Sequence, residues 1–86
     1  RLAGKLKEAE EQIVKFEPNG DKRTTGVMYY NLACSYALGN DPNNAFKFLD
    51  KALALGFNGK GQYENDTDLV SLKSDKRWKD LTSKLK

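Results

Sequence analysis

The stretch Tyr29–Phe57, YYNLACSYALGNDPNNAFKFLDKALALGF, decides the fold. In its first half Tyr29, Leu32, Ala33 and Tyr36 recur at steps of three, one and three, which is one face of a helix. In its second half Ala45, Phe48, Leu49, Ala52 and Leu53 repeat that pattern. Between the halves, Gly39 and Asn40 are residue types that accept the left-handed conformation with which helices end. Asp41 is then a cap for the next helix, and Pro42 suits its first position, where no N–H is needed. The spacing predicts two antiparallel helices joined by a very short loop.

Working outward, residues 1–16 carry Leu2, Leu6, Ala9, Ile13 and Phe16 as an apolar stripe, with Lys7, Glu8, Glu11 and Lys15 opposite. A helix of this length is marginal alone and needs the hairpin to pack on. Pro18-Asn19-Gly20-Asp21 is a turn by composition, followed by a polar link to Thr25. Thr24 or Thr25 is the expected cap of a helix starting near Val27. Beyond Phe57, Asn58-Gly59-Lys60-Gly61 reads as a loop and Asn65–Leu72 as a short helix capped by Asp66 or Thr67. Ser74-Asp75 then caps a last helix from about Lys76 to Leu85. Leu69, Leu72, Trp78, Leu81 and Leu85 are what this tail offers to the core. The expectation is an all-α fold in one domain, residues 1–86: a leading helix (1–17), a hairpin unit (26–59) and short C-terminal capping helices (60–86).

The hairpin resembles one tetratricopeptide repeat. That signature is an aromatic, Leu-Gly, Tyr, Ala-x-x-x-Phe and a closing Pro at set intervals. Tyr29-x-x-Leu32-Ala33-x-x-Tyr36 matches with Ala for Gly, and Ala45-x-x-x-Leu49 followed by Ala52 matches with Leu for Phe. Phe57 stands where the Pro would be, and Gly56 supplies the helix stop. Counted from Gly26 to Gly59 the unit has 34 residues, the period of these repeats. The tail, Asn65-Asp66-x-Asp68-Leu69-x-x-Leu72-x-x-Asp75-x-Arg77-Trp78, is similar to a recurring bacterial ending that closes such arrays. Together the resemblances cover residues 26 to about 81. They imply a non-catalytic module that binds a protein or peptide partner, docks on a domain of its parent chain, or pairs with a second copy as a homodimer. The alternative they imply is a structural cap of a larger bacterial protein, an envelope protein or a hydrolase, with no ligand of its own.

In a repeat array the helix Val27–Leu38 lines the concave side, which puts Val27, Tyr30, Cys34, Ala37 and Leu38 at the receiving surface. Repeats that clamp a terminal carboxylate use Lys and Asn at two of these places. Tyr30 and Cys34 stand there instead, so the implied ligand is a hydrophobic peptide or a neighbouring helix. The competing expectation is that the chain's first helix and its tail already cover this surface, since large apolar patches on monomers are unusual.

Composition narrows the chemistry. There is no histidine, which removes the commonest general base and metal ligand. The single cysteine, Cys34, allows no internal disulfide and no multi-cysteine metal site. With apolar neighbours it is expected to be a small core or groove residue rather than a reactive thiol. Glu64, Asp66 and Asp68 resemble part of a calcium loop, but the glycine and the distal glutamate are missing. Asn65-Asp66-Thr67 is formally a glycosylation sequon. Glu10 and Glu11 are adjacent and so diverge on a helix, and Gly59 and Gly61 lack the Lys-Ser/Thr of a phosphate loop. We expect no enzyme, no cofactor and no metal site.

Of the net charge of +3, residues 73–86 hold a surplus of four, six basic against two acidic. Interleaved with Trp78, this could touch nucleic acid or an acidic membrane surface, but a solvated helix face with Trp78 buried is the expectation, and nucleic acid is not an expected partner. No apolar run approaches the roughly 20 residues of a membrane span. The chain opens on Arg1 with sequence of internal character, so it is expected to be a soluble fragment lacking any targeting signal, with its compartment unassigned.

Overall fold

The computed structural model describes residues 2–86, with the backbone alone for Leu2 and Ala3, so the place given to Leu2 in the first stripe lies outside the described side chains. The described chain is all-helical: α1 (Leu2–Phe16), α2 (Lys22–Leu38), α3 (Pro42–Ala54), α4 (Lys60–Asn65), a 3₁₀ segment (Thr67–Leu72) and α5 (Lys76–Thr82). The central element is α2, which packs on α3, on α1 and on the 3₁₀ segment.

Helix α2 starts five residues earlier than its sequence pattern implies. Asp21 caps it, accepting the Thr24 N–H at 2.6 Å, so the turn Pro18–Gly20 is nearly the whole link from α1. Thr25, expected as a cap, is buried inside the helix, and its hydroxyl donates to the Asp21 carbonyl at 2.9 Å. An ionised Asp is at least as good an N-cap as Thr. With Asp21 in that role the threonine hydroxyl satisfies itself on the preceding turn.

Both hairpin helices close with the same device. At the end of α2, Asn40 adopts φ 64°, its N–H bonds to the Ala37 carbonyl, and the Asp41 N–H bonds to that of Tyr36 at 2.9 Å. At the end of α3, Gly56 takes φ 96°, its N–H bonds to the Leu53 carbonyl, and the Phe57 N–H bonds to that of Ala52 at 3.0 Å. This paired bonding about one left-handed residue satisfies the carbonyls that a helix end leaves free. Asp41 then caps α3 through the Asn44 N–H, with Pro42 in its first turn.

Ala33, Ala45 and Ala52 are wholly buried and let α2 and α3 approach closely. Phe48 fills the space between them, stacked on Tyr29 (centroids 5.8 Å) and on Tyr36 (5.6 Å). A second aromatic group, Tyr30, Phe57 and Tyr63, joins α2 to the tail. Tyr63 is completely buried, on a helix that the sequence reading made part loop. Leu69, Leu72 and Leu81 are buried as expected, with Trp78 and Leu85 packed partly against them. The last helix ends at Thr82 rather than Leu85.

The close of α3 gives a direct test. Gly56→Ala places a Cβ on a left-handed residue and should cost about 1–2 kcal/mol in urea unfolding. Gly59→Ala, at φ −70° with no atom within 4 Å of the added carbon, should stay within about 0.5 kcal/mol of the parent.

Candidate functional site

The expected receiving surface on α2 is filled by the chain itself. Tyr30 (3% exposed), Cys34 and Ala37 are buried, Val27 is partly covered, and only Leu38, at 67%, stands open. The Tyr30 ring lies against Phe57 and edge-on to Tyr63, centroids 4.7 and 5.0 Å away. At the far end the Ser71 hydroxyl reaches the Ala37 carbonyl at 3.5 Å. A foreign peptide therefore finds no groove here. The physical reason is that Tyr63, Leu69 and Leu72 are as apolar as any peptide ligand and are tethered nearby.

The polar groups of that interface converge on Asp66. One carboxylate oxygen accepts the Tyr30 hydroxyl at 2.6 Å and lies 3.8 Å from the Cys34 sulfur, which donates to it. The other caps the 3₁₀ segment through the Asp68 N–H at 2.9 Å. Desolvation pushes the Asp66 carboxyl up, but the hydrogen bonds from Tyr30, Asp68 and Cys34 outweigh it and leave it below its ordinary value. Burial, reinforced by the charges of Asp66 and Asp68, pushes the Cys34 thiol up to about 12, and burial raises Tyr30 as well. Ligand atoms of Cys34, Asp66 and Asp68 lie within 4.8 Å of one another, a spacing metals use. Burial keeps the thiol protonated, and one Asp66 oxygen is already taken by the Tyr30 hydroxyl and the Cys34 thiol. The cluster is a staple that holds the tail on α2.

An open feature among the described residues lies on another side of α2. A cleft of about 560 Å³ runs between α1 and the start of α3. Glu10, Glu11 and Val14 border it from α1, Asp41 and Asn44 from α3, and Tyr36 from α2. Tyr36 is 7% exposed, with its ring stacked on Phe48. The hydroxyls of Tyr29, Tyr30 and Tyr63 donate to Glu17, Asp66 and the Phe57 carbonyl respectively. That of Tyr36 has no hydrogen-bond partner among the described residues. Burial raises its pKa, and the nearby charges of Glu10 and Asp41 raise it further. Lys7, Lys15 and Lys47 also border the cleft, all exposed. Among the described residues the ion pairs are Arg77–Asp75 and Lys84–Asp80, so none of these six charges is ion-paired. The sequence reading missed this cleft because it depends on how α1 lies across α2. Its one signal was the second tyrosine of the repeat-like pattern, a residue with a polar end.

The basic tail is partly committed to the fold. Arg77 pairs with Asp75 at 2.8 Å, donates to Asn43 at 2.9 Å and lies 4.7 Å from the centre of the Phe46 ring. Its guanidinium holds the Asp75 carboxyl down at about 2. Trp78 is half-buried. No helix among the described residues is long and apolar enough to cross a membrane.

No protein-family model matches the chain, and no curated protein and no solved structure matches it.

Two measurements test the staple. Asp66→Asn should lower stability by about 1–3 kcal/mol at neutral pH by weakening the bonds to Tyr30 and Cys34. Because the folded pKa lies below the reference value of 3.8, this stability is present above that value and is lost as pH falls through the folded pKa. The gap between parent and variant should therefore narrow below pH 3.8 in acid unfolding curves. Separately, Cys34 should resist a disulfide-exchange reagent in the native protein at pH 8 and react at once in denaturant.

Proposed function

We propose that this chain is a non-catalytic protein-interaction or assembly module of tetratricopeptide type, which makes its contacts on the α1 side of the hairpin. The observation that carries the reading is an asymmetry. The tail closes one side of α2, while the α1 side keeps a cleft of about 560 Å³ and an exposed Val14 (53%). The residues that the resemblance assigns to the inside of a repeat also support it: Tyr29, Leu32, Ala33, Ala45, Leu49 and Ala52 are all buried. The buried thiol and the tyrosines of the core have pKa values raised away from neutrality, which disfavours them as nucleophiles or bases.

A second reading is favoured by the closed side itself. A chain whose tail covers its own groove is what the end of a helical array requires, because terminal repeats carry a polar outer face. In that reading the chain is the structural cap of a larger bacterial protein, an envelope protein or a hydrolase, and α1 receives the preceding helices.

Solution mass separates these. Light scattering across a concentration series should give either the 9.7 kDa monomer or a dimer that Val14→Asp dissociates. In the monomer case, a photo-crosslinking residue at Val14 should form a protein adduct in cells of the source, while one at Val70 should not. A monomer with no adduct at Val14 would overturn the module reading and leave the cap.

A further inference from the structure

We propose that Asn58 is a site of spontaneous self-modification, at which the Gly59 nitrogen displaces the side-chain amide and converts Asn58 to isoaspartate or aspartate.

The chain holds two Asn-Gly pairs, Asn19-Gly20 and Asn58-Gly59. Asparagine is among the chemically labile residues. A glycine after it favours cyclisation, because its missing Cβ lets the backbone turn and bring the nitrogen onto the side-chain carbon. In the first step Gly59 N bonds to Asn58 Cγ and the Cγ–Nδ2 bond breaks. Ammonia leaves, carrying the proton of the Gly59 N–H. Water then opens the cyclic imide at either carbonyl. Opening at the backbone carbonyl gives isoaspartate, whose main chain runs through the side-chain carbons, and opening at Cγ gives aspartate.

The two pairs share this chemistry and differ in how the fold holds the attacking nitrogen. The Gly20 N–H donates to the Phe16 carbonyl at 2.9 Å, and the Asn19 N–H shares that acceptor at 3.0 Å. The Phe16 ring also occupies the place of the side chain that Gly20 lacks, so this turn is fastened and covered. At the other pair, the Gly59 N–H and the Asn58 side-chain amide have no hydrogen-bond partner among the described residues. Gly59 is exposed, with no atom within 4 Å of where a Cβ would stand. One bond restrains the peptide unit between them, from the N–H of the exposed Lys86 to the Asn58 carbonyl at 2.9 Å. Solvent-exposed backbone bonds of this kind open readily.

The position gives the change a structural consequence. Residues 55–59 are the whole connection between α3 and α4. Either product adds a negative charge there, and isoaspartate also lengthens the main chain. The Gly59 carbonyl accepts the N–H groups of Gln62 and Tyr63 at 3.1 and 3.4 Å, so the start of α4 hangs on the altered link.

The test is to age the full chain in mildly alkaline buffer and follow both sites by peptide mapping with mass spectrometry. Methyl transfer by an isoaspartate methyltransferase identifies the isoaspartyl product. In the native protein, Asn58 should react at least about tenfold faster than Asn19, the scale of one backbone hydrogen bond that must break first. In denaturant the two rates should converge, because both sites are then Asn-Gly in open chain. Gly59→Ala, a change that the open surroundings of Gly59 accommodate, should slow the Asn58 reaction severalfold and leave Asn19 unaffected. Equal native rates, a preference for Asn58 that survives in denaturant, or no effect of Gly59→Ala would each overturn the proposal. In the modified fraction the Gln62 and Tyr63 amides should exchange with solvent severalfold faster, and unchanged exchange would overturn the consequence for α4.

Discussion

The structure depends on the burial of one helix on three sides. Nine of the 17 residues of α2 are buried, spread around its circumference rather than gathered on one face. A helix buried so fully must also satisfy its polar side chains, and here those are mainly tyrosine hydroxyls. Tyr29 is tied back to the end of α1 through Glu17, and Tyr30 is tied forward to the tail through Asp66. The same side chains that fill the core therefore choose which segments cover it. Replacing them by leucine and phenylalanine would preserve the apolar filling and lose that choice.

The small residues set the other half of the constraint. With Ala33, Ala45 and Ala52 wholly buried on α2 and α3, the rings of Tyr29, Phe48 and Tyr36 stack nearly parallel between the helices, beside the buried Leu32 and Leu49. Close-packed interiors tolerate little change in volume, so this interface holds one geometry. That rigidity fixes where α1 can lie, and hence the width of the cleft that Tyr36 faces.

The hairpin was legible because its signals are local. Alternating small and large residues at helical spacing, Asn40 and Gly56 at the stops, and Asp41-Pro42 at the restart each act within a turn of helix. The start of α2 was misplaced because three polar residues capable of capping, Asp21, Thr24 and Thr25, lie within five positions, and propensity alone does not rank them by geometry. Helix α4 was partly missed because Gly59 and Gly61 read as breakers, whereas the buried Tyr63 decides the matter through long-range packing. Of the surface assigned to α2, Tyr30, Cys34 and Ala37 do lie together on one face. What the pattern did not reveal is that Asp66, read as a cap, is also the acceptor that draws the tail onto that face.

The short connection between α3 and α4, residues 55–59, has a thermodynamic meaning of its own. A segment tethered through so few residues meets its docking surface as though present at millimolar concentration or above. Any free peptide competing for the face of Tyr30 and Cys34 faces that internal rival at all times. The tail is thus the resident occupant of its own helical hairpin, and an event that unlocks it, such as local opening of the chain after α3, is needed to exchange it for another.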